Sequence, residues 1–361
     1  MDRIARLRAD LGDAGLDALV LTHPPNIQYL TRLRATAGAA IVFQTHTELV
    51  VDSRYVAAAH AVAGELVDVS VRLAEKSLDD AIVEGLGNAD ARRIGIEGAH
   101  LSVSRFNRLI GLLSSAEKQG SNGRVLVPTE RLVERRRAVK DPAEIAILRE
   151  AARRLGAVAR DVDNLLVVGR TEREVAAALD DAMRAAGFER PAFETIVASG
   201  PNSALPHARP TARMLRDGEG VLLDFGGIYD GYCVDLSRTR HLGRESDTFR
   251  RLFGAVAEAQ AAAIAEVKPG ALPVDIDGAA RRVLARHGLA DAFGHGTGHG
   301  LGLEVHEEPR ISPHTPEGEP VIAGMVFTIE PGVYVPGTGG VRIEDDVLVV
   351  EGGCEILTDG I

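Results

Sequence analysis

The sequence contains no tryptophan and little aromatic surface, because Phe, Trp and Tyr together make up 4% of its 361 residues. A core must therefore be built mainly from Ala, Val and Leu. The 45% hydrophobic content is ample for a soluble globular chain of two domains or one large domain. No apolar run approaches the length of a membrane span. Residues 1–12 are charged and amphipathic, and they lack the apolar centre of a signal peptide.

Cysteine and positive charge are also scarce. Neither of the two cysteines, Cys233 and Cys354, belongs to a metal-type or redox-type pair, which excludes a disulfide scaffold and suits a reducing cytoplasm. The net charge of -11 argues against nucleic acid as the main partner, since phosphate binding requires a cationic surface. The one basic run, residues 135–137 with Lys140, lies beside acidic residues and is interpreted as a solvated helical face.

Apolar segments that alternate with amphipathic helical patterns predict an α/β domain over residues 1–130. Its predicted helices lie near 2–15, 54–63, 77–86 and 103–114, and its predicted strands near 18–22, 39–43, 48–51, 93–96 and 125–127. A second region, residues 131–361, contains a helix that Asp141 caps with Pro142 at its first position. Thr171 and Glu174 fit the capping box of a second helix, and two more helices are predicted near 246–267 and 274–287.

Two aspartates interrupt strand-like apolar runs in the second region. Asp224 lies in one run, and Asp235 follows eleven residues later, after a tight-turn signal. A hairpin that turns at 229–230 places the two acids directly opposite each other, whereas a turn at 230–231 makes them diagonal neighbours. Either register puts both carboxylates on one face, where they repel each other unless a cation lies between them. The alternative is that Arg238 or Arg240 forms ion pairs with these acids.

Histidines and glutamates follow in a similar setting. His295, His299 and His306 lie within twelve residues among glycines, which allow the backbone to approach a ligand closely. A glycine-rich anion loop and core histidines are the alternatives. Glu330 and Glu344 interrupt two further apolar runs, where a solvated strand end is the ordinary interpretation. Two Asp, two Glu and one His together suit a pair of divalent ions such as Mn, Co or Zn, and the lack of sulfur ligands argues against a structural zinc site.

The order of these motifs resembles the pita-bread metallopeptidases, which include methionine aminopeptidase, aminopeptidase P and prolidase. The motifs are residues 223–226 with Asp235, 298–300 with His306, 328–332 and 342–345, and the match covers roughly 140–361. Residues 25–31 and 52–55 resemble the creatinase-type N-terminal domain of prolidases and aminopeptidases P, which methionine aminopeptidases usually lack. The family often has Gly-Phe after this first motif, where this chain has Arg32 and Arg34, so their role in substrate choice stays open.

The resemblance implies an α+β chain: a C-terminal pita-bread domain, residues 131–361, preceded by a smaller α/β creatinase-type N-terminal domain, residues 1–130. It implies a metallopeptidase that hydrolyses the bond preceding proline, either in Xaa-Pro dipeptides or at the N-terminal residue of Xaa-Pro peptides. Two divalent ions, manganese first and cobalt or zinc as alternatives, are the implied cofactors. A cytoplasmic homodimer with no nucleic-acid or membrane partner is expected.

The resemblance also implies the site residues. The implied metal ligands are Asp224, Asp235, His299, Glu330 and Glu344, of which Asp235 and Glu344 bridge the ions. The implied catalytic residues are His306, His207 and Glu330, the last acting as general base as well as ligand. The implied substrate-binding residues are His295, Arg310, Tyr334 and Arg342.

Two other functions remain as alternatives. A creatinase-like hydrolase shares both domains but lacks the metal ligands, and a non-enzymatic pita-bread binding module has lost them. All five ligands are present in this sequence, which argues against both alternatives. Between prolidase and aminopeptidase P, Arg310 favours recognition of a free carboxylate and hence dipeptides, unless this arginine only supports the segment that carries His306.

Overall fold

The computed structural model describes residues 3–117, 123–315 and 319–358. The chain divides into two compact units, Met1–Arg135 and Arg136–Ile361. This division and the predicted boundary at residue 130 both fall between β6 (Val125–Thr129) and the end of α6 (Glu134–Ala138). No helix in the described ranges combines the length and the apolar character that crossing a lipid bilayer requires.

The first unit is built on one mixed sheet. Besides β6, the strands of this sheet are β1 (Ala18–Leu21), β2 (Ala39–Phe43), β3 (Thr47–Val51), β4 (Val69–Leu73) and β5 (Arg93–Glu97). Its helices are α1 (Arg3–Asp13), α2 (Pro24–Thr31), α3 (Val56–Ala63), α4 (Leu78–Gly87) and α5 (Val103–Glu117). Within the described residues the strand order is β4-β3-β2-β1-β5-β6, in which β2 pairs antiparallel with both neighbours and the other pairs are parallel. This arrangement confirms the predicted α/β character.

Apolar spacing explains the helix that begins this unit. Ile4, Leu7 and Leu11 are spaced so that they share one face of α1, and all three are buried. Helix α2 and strand β4 were not predicted from the sequence. The prolines at the start of α2 occupy the first turn, where a missing N–H costs no hydrogen bond.

The second unit contains longer helices and two larger sheets. Its further helices are α7 (Pro142–Arg160), α8 (Glu172–Ala185), α9 (Asp247–Glu266) and α10 (Pro273–Arg286). Its strands are β7 (Arg190–Pro191), β8 (Ile196–Ser199), β9 (Gly220–Tyr229), β10 (Tyr232–His241), β11 (Gly298–Gly300), β12 (Glu307–Ile311), β13 (Val326–Ile329), β14 (Gly332–Val335), β15 (Gly339–Arg342), β16 (Asp345–Val350) and β17 (Gly353–Ile356). Among the described residues, β10-β9-β7 with β8 forms one sheet, β12-β11-β13-β16-β17 another, and β14-β15 a hairpin.

Both predicted helix starts in this unit are confirmed. The Asp141 side chain accepts hydrogen bonds from the first turn of α7, and Glu144 completes the capping box from the other side. Thr171 and Glu174 form the same reciprocal arrangement at α8. Each cap satisfies donors that the helix leaves unpaired, which stabilises a helix by about 1 kcal/mol.

Two apolar clusters hold the helices of the second unit against its sheets. In one cluster, Leu155 of α7 and Leu179 of α8 pack with Phe225 and Val234 of the β9–β10 pair. In the other cluster, side chains of α9 and α10 pack against β13, β15 and β16. Burying one such side chain stabilises the fold by about 1.5–3 kcal/mol. The strands that carry the predicted site residues therefore rest on two rigid layers.

The β9–β10 hairpin adopts the second of the two predicted registers. Its turn is Asp230 and Gly231, whose φ angles of 47° and 80° are both in the left-handed region. Primed turns of this kind match the twist of the strands that they join. Asp235 therefore lies opposite Gly226, and Asp224 lies opposite Ser237. The two carboxylates are diagonal neighbours on one face of the hairpin.

The basic run at residues 135–137 is not a uniformly solvated face. Arg135 is exposed, but Arg137 and Lys140 are only 2% and 4% exposed. Arg137 Nη2 lies 2.6 Å from Glu307 Oε2 and 2.8 Å from Glu304 Oε2. The prediction was wrong for these two cations because carboxylates far along the chain compensate their charge in the interior.

Candidate metal centre and active site

Acidic and imidazole ligands from separate strands meet in the second unit. Within the described ranges, one ligand atom each of Asp235, His299 and Glu344 lies within 4.8 Å of the other two, and all three residues are buried. Glu330, which follows β13, places Oε1 3.5 Å from His299 Nε2. His299 Nε2 also lies 4.0 Å from Asp235 Oδ2. Four of the five predicted ligands are therefore close neighbours.

Asp224, the remaining predicted ligand, lines the same cavity. Its Oδ2 accepts a hydrogen bond of 2.5 Å from Arg342 Nη2. Its Oδ1 is buried and has no hydrogen-bond partner in the described part of the chain, and the same holds for Asp235 Oδ1. A buried carboxylate oxygen without a donor is costly, so both oxygens indicate a missing positive partner.

The alternative in which Arg238 or Arg240 neutralises the two aspartates is wrong. Arg238 Nη2 lies 2.7 Å from Asp345 Oδ1, and Arg240 Nε lies 3.2 Å from Asp163 Oδ1. The arginine that contacts Asp224 is Arg342, which lies more than one hundred positions further along the chain. Local spacing on the hairpin therefore gave no information about the true partner.

Burial and like charges control the protonation of the acids. Burial raises the pKa of Asp235 well above its ordinary value, and the charges of Glu344 and Asp224 raise it further. Burial and the charge of Glu330 raise the pKa of Glu344 in the same way. Burial raises the pKa of Glu330 to about 7. The cluster is therefore destabilised by its own negative charge when no cation lies among these carboxylates.

His299 presents a neutral ring to these acids. Burial, and to a smaller extent the neighbouring ring of His306, lowers the pKa of His299 to about 3. His299 Nδ1 lies 3.1 Å from the carbonyl oxygen of Gly300, so Nδ1–H donates to that oxygen. This hydrogen bond leaves the lone pair of Nε2 directed at the acidic cluster, as in metal sites whose imidazole ligand is fixed by a second hydrogen bond.

This donor set fits divalent cations. Carboxylate oxygens predominate, one imidazole nitrogen is available, and two buried oxygens lack donors. Borderline-hard ions such as Mn, Co and Zn prefer such ligands. A cation among these groups would remove the like-charge repulsion and pair the oxygens, so burial of the acids is explained by metal binding.

Two hydroxyl groups that were not predicted from the sequence contact the predicted ligands. Ser237 Oγ donates to Glu344 Oε2 at 2.6 Å, and Thr328 Oγ1 donates to Glu330 Oε1 at 3.4 Å. Thr328 Oγ1 also accepts from the backbone N–H of His299 at 3.1 Å. Ser237 and Thr328 each lie two residues from a ligand, so strand alternation places them on the ligand's own face. That spacing was the available signal.

A cavity of about 590 Å³ opens over the acidic cluster. Its wall includes apolar side chains that were not predicted, among them Phe193, Ile196 and Ala208. All predicted site residues except Tyr334 line it, namely Asp224, Asp235, His299, Glu330, Glu344, His207, His295, His306, Arg310 and Arg342. A partly apolar pocket beside a cluster of polar groups can hold a small substrate over the reacting atoms.

Tyr334 belongs to the site through hydrogen bonds. Arg342 Nη1 donates to Tyr334 Oη at 2.7 Å, and Tyr334 Oη lies 2.9 Å from His295 Nε2. His295 Nδ1 lies 2.8 Å from the carbonyl oxygen of Gly296. Burial lowers the pKa of His295 to about 4 and raises that of Tyr334 to about 12, so the phenol donates to a neutral imidazole. The chain of hydrogen bonds fixes the His295 ring at the cavity wall.

An ion pair on α10 holds the loop of His295 and was also missed. Asp277 Oδ1 accepts from both the backbone N–H and the hydroxyl of Thr297, at 3.1 and 2.8 Å. Arg281, four residues further along α10, pairs with Asp277 and donates to the carbonyl oxygen of His295. The pair lies outside the motifs, so only its tertiary contacts identify it.

Both parts of the chain match known protein families. Residues 146–351 match Metallopeptidase family M24, and residues 3–139 match the Creatinase/Prolidase N-terminal domain. The chain is 36% identical over 358 residues to the uncharacterized peptidase YqhT of Bacillus subtilis (strain 168), with 99% of this chain and 97% of the relative covered.

Two solved structures are similar over nearly the whole chain. The Xaa-Pro dipeptidase from Bacillus anthracis has a TM-score of 0.91 at 33% identity, with 99% of this chain and 97% of that chain covered. The X-Pro aminopeptidase from Thermotoga maritima MSB8 has a TM-score of 0.84 at 32% identity, with 95% and 96% covered. The chain therefore belongs to metallopeptidase family M24 and is a metallopeptidase with a creatinase/prolidase N-terminal domain ahead of its pita-bread domain, as its motifs predicted.

Proposed function

We propose that this metallopeptidase hydrolyses the peptide bond that precedes proline and uses two divalent ions. The proposal is carried by one observation: Asp235, His299 and Glu344 converge beneath a cavity that three further histidines and Arg310 line. The similarity to an Xaa-Pro dipeptidase and an X-Pro aminopeptidase supports the choice of bond. Asp224, Asp235, His299, Glu330 and Glu344 would hold the ions.

The ions supply Lewis acidity and bring the pKa of a bound water toward neutrality. Glu330 lies beside His299 at the cavity floor and accepts the proton of the attacking water as general base. His306 lies on the cavity wall and donates a hydrogen bond to the oxyanion that develops on the scissile carbonyl.

Proline requires a dedicated cleft. Its imide nitrogen has no hydrogen to donate, and the bond before it occurs in cis and trans forms, of which we expect trans to fit. His207 contacts the substrate near the leaving nitrogen, and His295, which Tyr334 orients, holds the proline side. Apolar wall residues such as Phe193 and Ile196 suit a pyrrolidine ring.

We infer a preference for Xaa-Pro dipeptides over longer peptides. Arg310 is exposed on β12 and lines the cavity, so its guanidinium is available to a free carboxylate. Such pairs form two parallel hydrogen bonds and select strongly for a planar anion. In this assignment Arg310 recognises the C-terminus of the proline residue.

Hydrolysis of Xaa-Pro and Xaa-Pro-Yaa after incubation with manganese, and again after chelation, tests the proposed function. We expect manganese-dependent cleavage of both substrates with higher kcat/KM for the dipeptide, loss of activity on chelation and recovery on adding metal back. Equal hydrolysis after rigorous removal of divalent ions would contradict metal catalysis. A purified chain with little metal and no hydrolysis of either substrate would favour the binding-module alternative.

Arg310→Gln tests the carboxylate assignment. We expect KM for the Xaa-Pro dipeptide to rise about tenfold to a hundredfold, because a charge-assisted pair contributes roughly 1.5–3 kcal/mol. The matched control is the same dipeptide with its C-terminus amidated, for which wild type and variant should have equal KM. An equal loss on both substrates would assign Arg310 to support of the His306 segment.

Three finer expectations are part of the proposal. Manganese is the first choice of ion, with cobalt and zinc as alternatives, and metal analysis of purified enzyme distinguishes them. A homodimer is expected, which sedimentation measures. A cytoplasmic location is expected from cysteine usage, and fractionation of cells tests it.

A further inference from the structure

We propose that Arg137 is a positioning residue for His306, because it holds the carboxylates on either side of that histidine. The inference deepens the proposed function and rests on the role of His306 given there. It also gives a purpose to the part of the basic run that is buried. The contacts concerned all lie within the second unit.

The contacts of Arg137 bracket His306 in the chain. Arg137 Nη2 lies 2.8 Å from Glu304 Oε2, two residues before His306, and 2.6 Å from Glu307 Oε2, the residue directly after it. The Arg137 side chain is 2% exposed and that of Glu307 is 3% exposed. One guanidinium therefore fixes both ends of the turn that presents the histidine.

The His306 ring has little else to fix it. Among residues 3–117, 123–315 and 319–358 the ring makes no hydrogen bond, and it is exposed on the cavity wall. Its ring contact is with His299, edge-on, at 4.2 Å between centroids. The direction of the ring therefore depends on the backbone of residues 304–307, which Arg137 anchors.

The space around the anchor is filled. A Cβ on Gly302 would lie 1.9 Å from Glu307 Oε1 and 3.2 Å from the Cε of Lys140, so the Glu307 carboxylate passes directly beside this glycine. Lys140 Nζ lies 3.8 Å from Glu307 Oε1 and adds a second buried cation. The carbonyl oxygen of Gly302 accepts from the backbone N–H of Cys233, two residues before Asp235. The anchor thus ties the histidine segment to the strand of a proposed metal ligand.

Removing the Arg137 guanidinium should leave the position of the His306 ring less well fixed, while the proposed metal ligands stay in place. The buried carboxylate of Glu307 would then have Lys140 as its more distant cationic partner. Residues 304–307 would shift so that this carboxylate becomes more exposed to solvent. A displacement of about 1 Å in a catalytic group costs roughly a hundredfold in rate. Asp235 lies on β10, which pairs with β9, and His299 lies on β11, which pairs with β13 as well as with β12, where Gly300 lies opposite Glu307. The pairing with β9 and β13 should keep these two proposed ligands in place.

The test compares Arg137→Met with Arg137→Lys and with the exposed neighbour Arg135→Met as matched control. Each purified variant is loaded with manganese and assayed on an Xaa-Pro dipeptide for kcat, KM and bound metal. We expect Arg137→Met to lower kcat about tenfold to a hundredfold with KM and metal content unchanged. Arg137→Lys should recover part of this loss, and Arg135→Met should match the wild type.

A double-mutant cycle with His306→Ala identifies the route of the effect. If Arg137 acts through His306, Arg137→Met should change kcat by less than about twofold in the His306→Ala background. If the kcat losses of the two single variants multiply in the double variant, the inference is overturned. A loss of bound metal in proportion to the loss of kcat would also overturn it. So would wild-type kcat in Arg137→Met.

Two further outcomes are separable. If Arg137→Met does not fold, Glu307→Gln keeps the side-chain volume and should show the same loss confined to kcat, and wild-type kcat in that variant would overturn the inference. A wild-type enzyme without manganese-dependent Xaa-Pro hydrolysis would contradict the proposed function instead. Arg137→Met at full kcat within an active enzyme would contradict only the positioning role.

Discussion

Two groups of buried carboxylates in the second unit are opposite in character. Glu172 is fully buried and accepts hydrogen bonds from the backbone and hydroxyl groups of Ser199 and Thr211, and from Asn202. Burial alone would raise its pKa, but these hydrogen bonds hold it below the ordinary value. Asp235 is as deeply buried, yet one of its oxygens has no donor in the described chain and its pKa is raised. Burial alone therefore does not distinguish the two carboxylates, whereas the supply of hydrogen-bond donors does.

The difference also shows what each group needs from outside the chain. The Glu172 cluster is complete, because its ionised form is satisfied by the protein itself. The acidic cluster around Asp235 and Glu344 is incomplete, because its members repel one another and face a neutral imidazole. Four predictions test this contrast.

The largest expected effect is on activity. Asp235→Ala and Glu344→Ala should each reduce manganese-dependent hydrolysis to the assay background, because each removes a buried carboxylate of the proposed metal centre. Circular dichroism and thermal unfolding should show a folded chain. Asp181→Ala, at an exposed acid of α8, is the control. Full activity in either ligand variant would exclude the proposed metal centre.

The next effect separates catalysis from metal binding. His306→Ala should lower kcat by about 10²–10³-fold, the usual loss on removing one donor to a developing oxyanion. Bound metal, measured by elemental analysis, should stay at the wild-type level because His306 lies outside the acidic cluster. Equal losses of metal and turnover would make His306 a ligand instead.

Glu172→Gln should affect stability and leave chemistry intact. The amide cannot accept all of the hydrogen bonds that Glu172 accepts, so unfolding free energy in urea should fall by about 1–3 kcal/mol. The folded-state pKa lies below the ordinary 4.5, so the stabilisation is complete above that pH and is lost as pH falls through the folded-state pKa. The gap between variant and wild type should therefore narrow in acid. A changed kcat per folded molecule would contradict a structural role.

The smallest effect has the opposite sign. With metal removed, Asp235→Asn should be more stable than wild type by about 1 kcal/mol, because neutralising one acid relieves repulsion that nothing else offsets. With manganese added, the order should reverse, since only the wild type gains binding energy. Thermal unfolding with chelator and with metal measures both. A less stable Asp235→Asn without metal would show that the acids are satisfied within the chain.

Local sequence patterns correctly predicted those features that depend on residues close together in the sequence. The capping boxes at Asp141 and Thr171 and the face of α1 follow from side chains within one or two helical turns. The hairpin was predicted with two registers, because Asp230 occurs in both possible turns. The structure shows that Asp230 and Gly231 take positive φ, which the alternation of strand residues could not determine.

Contacts between residues that lie far apart in the sequence could not be predicted from local patterns. The burial of Arg137 depends on Glu304, 167 positions away, so its surroundings in sequence suggested only a charged surface. Glu172 was not singled out, because Ser199 and Thr211 are brought to it only by folding. Helix α2, which begins with two prolines, was not predicted. The ligand set itself was predicted through resemblance, and its members remain proposed ligands.

The two-residue turn at Asp230 and Gly231 makes the number of residues between Asp224 and Asp235 a constraint on the proposed chemistry. Adjacent positions on a strand point to opposite sides, so one inserted residue that shifted the pairing of β10 would turn Asp235 away from Asp224. Most surface turns tolerate such insertions, but here the count between the aspartates sets whether both can reach one ion. Substitutions at these two turn residues are tolerated as long as the new residues can adopt the same backbone angles. Insertion or deletion of a single residue should abolish activity even though the chain still folds.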